Sequence, residues 1–250
     1  MNPSAIVKPC QLKVVENQQW YFAFDQNLIE SPQTNIFDPT FWQEQDAITG
    51  TAKGRGTTYF IEYQTQQWVL KHYFRGGLVG KLIKDQYLFT GIDKTRAKQE
   101  FELLLTIQSL GLPAPAPVAI GIEKHGFYYT ADIITCRIAD SQDVIGILKS
   151  QRLSSEQWFA IGKTIQSFHQ QGIYHDDLNC HNILIDQQQK VWLIDFDRGE
   201  KRKVHSNWQQ ANLSRLLRSF RKEKTRLSEF YWQESDWQLL LDGYYDKNKR

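Results

Sequence analysis

The feature that most restricts how this 250-residue chain can fold is a polar loop followed by two short apolar runs. His175-Asp176-Asp177-Leu178-Asn179-Cys180-His181-Asn182 leads directly into Ile183-Leu184-Ile185. After a polar turn, Val191-Trp192-Leu193-Ile194 ends on Asp195-Phe196-Asp197. Short apolar runs bounded by turn residues read as a pair of buried strands. Burial pins the strands, so the polar residues at their ends are presented on a rigid frame. The spacing therefore predicts that Asp177, Asn182 and Asp195 converge.

Phosphoryl transfer requires such a set. One carboxylate orients the acceptor hydroxyl, and hard oxygen ligands hold magnesium against the ATP phosphates. The run resembles the kinase catalytic loop H-R-D-L-x-x-x-N followed by the D-F-G metal motif. By that resemblance Asp177 is the catalytic base, and Asn182 and Asp195 are magnesium ligands. Asp176 stands at the arginine position, so spacing selects Asp177 over its neighbour. The bland alternative, a polar turn beside an unrelated acidic strand end, does not account for three spaced polar residues together with two apolar runs. His175 reads as a structural residue bonded to the loop backbone rather than as a metal ligand with His181, and His169 also reads as structural.

The upstream half carries a second set. Thr58–Tyr63 and Gln67–Tyr73 read as an antiparallel hairpin whose period-two alternation puts Val69 and Lys71 on one face. Lys71 is the candidate phosphate contact and Val69 the candidate adenine contact. Residues from Thr95 to Leu110 read as an amphipathic helix with Ala97, Phe101 and Leu104 inward. Glu100 falls beside that face and Glu102 away from it. A buried glutamate is costly unless paired, which nominates Glu100 as the partner of Lys71. The run Gly50 to Gly56 reads as a glycine-bearing turn in which Gly54 and Gly56 could let backbone N–H groups approach phosphate, or simply close a hairpin.

Strands first and helices later predict an α+β, protein-kinase-like two-lobed fold with a β-rich N-lobe (about 1–134) and a mostly helical C-lobe (about 135–250). Short strands are expected within 10–30, a loop with a helical turn at 31–49, further strands near 118–122 and 127–134, a helix from Ser155 to Gln171, and a basic helix near 207–227. In that last helix an apolar stripe reads as core packing, with Arg215, Arg218, Lys222 and Arg226 on a solvated face.

Composition removes other classes. A net charge of +2 makes the whole-molecule field weak, so it says little about partners and local clusters matter more; no nucleic-acid partner is expected. Three scattered cysteines do not form a disulfide framework or a zinc site. No signal-peptide layout opens the chain, and no apolar run approaches the roughly 20 residues a membrane span needs, so any membrane association is expected to be peripheral. Aromatic residues at 13% leave some available for a surface that meets lipid or sugar.

Several departures point away from protein substrates. Asp176 replaces the arginine, Asp197 replaces the glycine of D-F-G, and no A-P-E follows. The stretch His72-Tyr73-Phe74-Arg75-Gly76-Gly77-Leu78-Val79-Gly80-Lys81, the Glu100 helix, the Leu112–Pro117 connector and Gly172–Asn179 together resemble the Kdo kinase family, over roughly residues 50–220. That resemblance implies ATP-dependent phosphorylation of the 4-hydroxyl of Kdo on a lipid A precursor, with Mg2+, at the cytoplasmic face of an inner membrane. Arg75 is then a candidate for neutralising acceptor charge. Arg75, Lys81 and Lys84 around Leu78, Val79, Leu82 and Ile83 are candidates for an anionic membrane surface. No protein partner is inferred. The alternatives are a kinase for a small soluble alcohol and a nucleotide-binding pseudokinase.

Overall fold

The computed structural model describes residues 10–30, 33–54, 56–75 and 85–246. These fall into two compact units, one reaching Leu105 and including Ala116–Arg137, the other combining Thr106–Pro115 with the chain from Ile138 onward.

The first unit is built on an antiparallel sheet. Its elements are β1 (Leu12–Glu16), β2 (Trp20–Asp25), α1 (Pro39–Gln43), β3 (Ile48–Lys53), β4 (Thr57–Tyr63), β5 (Gln66–His72), β6 (Tyr87–Leu88), most of α2 (Arg96–Ser109), β7 (Pro117–His125) and β8 (Tyr128–Cys136). The strand order is β1-β2-β7-β8-β5-β4-β3, with β6 added to β8. One sheet face is closed by the 3-10 turn Thr34–Phe37 and by α1, which bring Ile36, Phe37 and Trp42 onto Phe22, Phe24, Trp68 and Leu70. Trp42 meets Trp68 edge to face at 6.0 Å, and its indole N–H donates to Ile36 O at 2.7 Å. Asp38 caps α1 by accepting from Thr40 N–H, while Pro39 occupies the first turn, where its missing donor costs nothing. Much of the aromatic content is thus spent on the core: Trp42, Trp68 and Trp158 are each about 1% exposed.

Two sequence expectations shift here. Gly50 lies inside β3, at a register irregularity between Ile48 and Gly50, so it belongs to the strand and not to a turn. A glycine in a strand reads locally as a turn residue, whereas pairing with Phe60 keeps it extended. The strands after the proline connector are longer than expected, β7 running Pro117–His125 and β8 to Cys136, because each pairs with the other along its length.

The second unit is mostly helical. It contains β9 (Ser141–Asp143), α3 (Val144–Leu148), α4 (Ser155–Gln170), β10 (Ile173–Tyr174), β11 (Ile183–Asp186), β12 (Val191–Leu193), β13 (Glu200–Lys201), α5 (Ser206–Arg226) and α6 (Glu234–Tyr245). Ser154 and Gln157 form a reciprocal capping box at the start of α4. α4 and α6 touch backbone to backbone. A methyl added at Gly162 would lie 1.9 Å from Leu240 O, and one at Gly243 would lie 2.0 Å from Phe159 O. In α5 the apolar stripe Leu213, Leu216 and Phe220 is buried, as core packing requires. No helix among the described residues is long and apolar enough to cross a membrane.

Candidate active site

In the first unit, Lys71 lies on β5 in register with Thr58 and Ile133. Its ammonium is 3.6 Å from Glu100 Oε2 and 5.2 Å from the centre of the Tyr73 ring. Glu100 is 4% exposed, and Tyr73 O–H donates to the same Oε2 at 2.5 Å. Glu100 is thus gripped by a phenol from two residues along β5's continuation and by the lysine itself. Glu102, one residue pair further along α2, is exposed and pairs with Lys98. Val69 sits on the Lys71 face of the strand, partly buried and paired with Phe60 and Thr135.

The β3–β4 turn is tight. Gly54 N–H donates to Gly56 O at 2.9 Å, which closes the turn on itself. A side chain at Gly56 would collide with the Phe74 ring, its Cβ falling 1.9 Å from Cε2. Glycine at 56 is therefore required by the close approach of that ring. Arg55 and residues 76–84, including Lys81 and Lys84, lie outside the described residues. Arg75 stacks on the Tyr87 ring at 5.1 Å, where Arg96 also stacks. The Arg75 Nε is buried and has no hydrogen-bond partner among the described residues.

In the second unit the loop and hairpin behave as one frame. β11 and β12 pair antiparallel, Ile183 with Leu193 and Ile185 with Val191. Asp186 fixes the turn, accepting from Lys190 N–H at 2.9 Å and from the Trp192 indole at 2.8 Å. Asn179 starts the 3-10 turn Cys180–Asn182 by accepting from His181 N–H at 2.8 Å. The amides of Asn179 and Asn182 both donate to Asp177 O at 3.0 Å. This fixes the Asn182 amide with its nitrogen spent on the loop and its oxygen left as the acceptor end. Ile194 N–H donates to Asn182 O at 3.0 Å, and Ile194 O accepts from His175 Nε2 at 3.0 Å. Asp195 thus follows a residue whose two backbone groups are both anchored in the 175–182 loop. Asp195 itself adopts φ 63°, the left-handed region that a non-glycine residue occupies only when its surroundings enforce it.

His175 is buried, and its ring lies 4.8 Å from that of Phe196. With Nε2–H donating to Ile194 O, Nδ1 is left to accept from Asp177 N–H at 3.2 Å. Burial holds its pKa below the ordinary histidine value, consistent with this neutral tautomer. His181 instead meets Glu223 at 3.2 Å, so the two histidines have separate partners. Among the described residues no group of three or more His, Cys, Asp or Glu is arranged to hold a metal. The Asn182 amide oxygen and Asp195 carboxylate are nevertheless the hard oxygen donors that magnesium accepts while retaining waters and substrate oxygens. Cys180 is buried, and its thiol is pushed up to about 11 by that burial, which removes it as a nucleophile.

One line of functional residues is not visible in the linear motif. α5 presents Asn212, Arg215, Ser219 and Glu223 at helical spacing along one stripe, and each engages the loop in order. Asn212 bonds the backbone of His175, accepting from its N–H at 3.4 Å and donating to its O at 3.1 Å. Arg215 Nη1 lies 3.4 Å from Asp177 Oδ1. Ser219 Oγ accepts from Cys180 N–H at 3.0 Å, and Glu223 takes His181. Behind Asn212, His169 Nε2 donates to its Oδ1 at 3.3 Å while His169 Nδ1 accepts from Tyr244 O–H at 2.7 Å. Asp176 is held apart from this line, by Arg198 at 3.3 Å and by Tyr174 O–H at 3.2 Å. In the sequence they are polar residues spaced three and four apart, bordering the apolar stripe of a basic helix. Without the fold, nothing distinguishes them from surface residues.

An α+β chain with this loop, hairpin and lysine–glutamate pair belongs to the lipopolysaccharide kinase (Kdo/WaaP) family, whose model matches residues 39–244. The chain is similar to the 3-deoxy-D-manno-octulosonic acid kinase of Vibrio parahaemolyticus, at 46% identity over 220 residues, covering 88% of this chain and 92% of that one. It is likewise 46% identical over 237 residues to the Mannheimia succiniciproducens kinase of the same name, covering 92% and 97%. A solved structure, WbdD co-crystallised with the kinase inhibitor LY294002, aligns at TM-score 0.46 and 14% identity over 79% of this chain and 44% of the other.

Proposed function

We propose that the chain is an ATP-dependent phosphotransferase that phosphorylates a hydroxyl, the 4-hydroxyl, of Kdo on a lipid A precursor. The observation that carries the reading is the joint anchoring of Asp177, Asn182 and Asp195 by one bonded frame, in a chain 46% identical to named Kdo kinases. The approximate N-lobe (1–134) contributes Lys71, aligned by Glu100, to the ATP phosphates, with Val69 against the base and Gly54 and Gly56 near the phosphates. The C-lobe (135–250) contributes the acceptor chemistry. Asp177 orients the sugar hydroxyl and receives its proton as the oxygen attacks the γ-phosphorus and the bond to ADP breaks. Asn182 and Asp195 would hold magnesium, which when bound offsets negative charge on the triphosphate. Arg75 is assigned to acceptor charge, and the enzyme works peripherally at the cytoplasmic face of an inner membrane, where basic side chains favour an anionic leaflet.

The test is incubation of the full chain with Mg-ATP and Kdo-lipid A precursor, reading ADP release and product mass. One added phosphate on the Kdo is expected, with Asp177→Asn lowering kcat by about 10²–10⁴ while ATP affinity stays within a few-fold. Phosphorylation of soluble sugars or choline in preference to the lipid would refute the substrate, and full turnover by Asp177→Asn would refute the base.

A further inference from the structure

We infer that Arg215 is a specificity-determining residue that binds the carboxylate of the acceptor sugar while Asp177 holds its hydroxyl. This rests on the reading of Asp177 given above. Four α5 residues meet the loop, and three of them act as structural ties. Asn212 and Glu223 are 1% and 5% exposed, Ser219 is partly buried, and their partners are backbone groups or the His181 ring. Arg215 differs in each respect. Its side chain is 44% exposed, the Asp177 side chain is 49% exposed, and its partner is the proposed reacting carboxylate.

The contact also has the form of a shared site rather than a closed ion pair. Its 3.4 Å separation exceeds the roughly 2.7–2.9 Å of a tight charge-assisted bond, and a single Nη1–Oδ1 approach is not the two-pronged geometry in which guanidinium and carboxylate fit best. A planar guanidinium carries five N–H donors, so an approach through one nitrogen leaves a fork to offer. Arg198 and Arg202 are committed elsewhere, Arg198 to Asp176 and Arg202 to Glu200 and the Tyr174 ring. A hydroxyl seated on Asp177 therefore brings the rest of its sugar within reach of Arg215. The substrate named for the relatives is an octulosonic acid, whose carboxylate matches a guanidinium fork.

The experiment compares wild type, Arg215→Gln and Arg215→Lys on two acceptors, the Kdo-lipid A precursor and the same molecule with its sugar carboxylate converted to a methyl amide. On the acid, Arg215→Gln is expected to raise acceptor KM by about tenfold to hundredfold with ATP KM unchanged. Arg215→Lys should recover part of the loss, since a point charge cannot form the fork. On the amide, wild type and Arg215→Gln should be alike. Equal loss on both acceptors would overturn the carboxylate assignment and make Arg215 a positioning residue for Asp177. Unchanged kinetics on the acid would overturn it outright while leaving the function intact. Absence of any turnover of the acid by wild type would overturn both together.

Discussion

Asn212 bonds both backbone groups of His175 through one side-chain amide, and it does so from a helix more than 30 residues further along the chain. The loop that carries Asp177 is thereby clamped at its root. Asn212 is 1% exposed, so water cannot replace what it supplies. Asn212→Ala should leave buried N–H and C=O groups unmatched, at a cost of about 2–4 kcal/mol. Urea unfolding would read this as a lower midpoint at unchanged slope. kcat should fall by at least about tenfold, with ATP KM nearly constant. Asn212→Asp, which accepts but cannot donate to His175 O, should lie between.

His169 behind this clamp gives a pH dependence. Burial, opposed by the Asn212 bond, holds its pKa down to about 4, whereas the unfolded chain titrates near 6.5. Between those values the unfolded chain takes up a proton that the folded one refuses. Stability is thus complete above about pH 6.5 and is lost as pH falls toward 4, by about 3 kcal/mol. The difference in unfolding free energy between wild type and His169→Gln should shrink over that window. A difference constant with pH would show that His169 is not the titrating group.

Glu100 accepts from Tyr73 and faces Lys71 through one oxygen. Glu100→Gln keeps shape and an acceptor but removes charge, and should raise ATP KM by about tenfold while acceptor KM holds. Tyr73→Phe, which leaves the ion pair in place, should shift ATP KM by a few-fold only. Steady-state kinetics with each substrate varied in turn separates the two.

Gly162 is the point where α4 meets α6 without room for a side chain. Gly162→Ala must push Leu240 and Tyr244 away, at about 1–3 kcal/mol. A melting temperature lower by about 3–10 °C is expected from differential scanning calorimetry. Because Tyr244 donates to His169, kcat should fall as well, unlike the effect of a surface substitution of equal size.

The linear sequence disclosed whatever follows a local period. The β4–β5 hairpin, α2 with Glu100 inward and Glu102 outward, and the span of α4 all depend on contacts a few residues apart. The structural role of His175 followed from its place beside a loop that needs internal bonds. What escaped notice depends on distant partners. α6 was missed because its helical character shows only when Leu240 and Tyr244 are seen against α4. α3 is a five-residue helix, too short to build a pattern. The α5 stripe hid because Asn212, Ser219 and Glu223 are ordinary polar residues until the 175–182 loop lies across them. Arg226 lies on the exposed face expected for it and additionally pairs there with the buried Glu223.

The α5 stripe has a consequence for how homologous chains can diverge. A helix advances about 100° with each residue, so one inserted or deleted amino acid between Asn212 and Glu223 would swing every later tie off the loop at once. A point substitution there removes one tie and leaves the others in place, whereas a change of length displaces them together. Indels should therefore be confined to the segments before Asn212 or beyond Glu223.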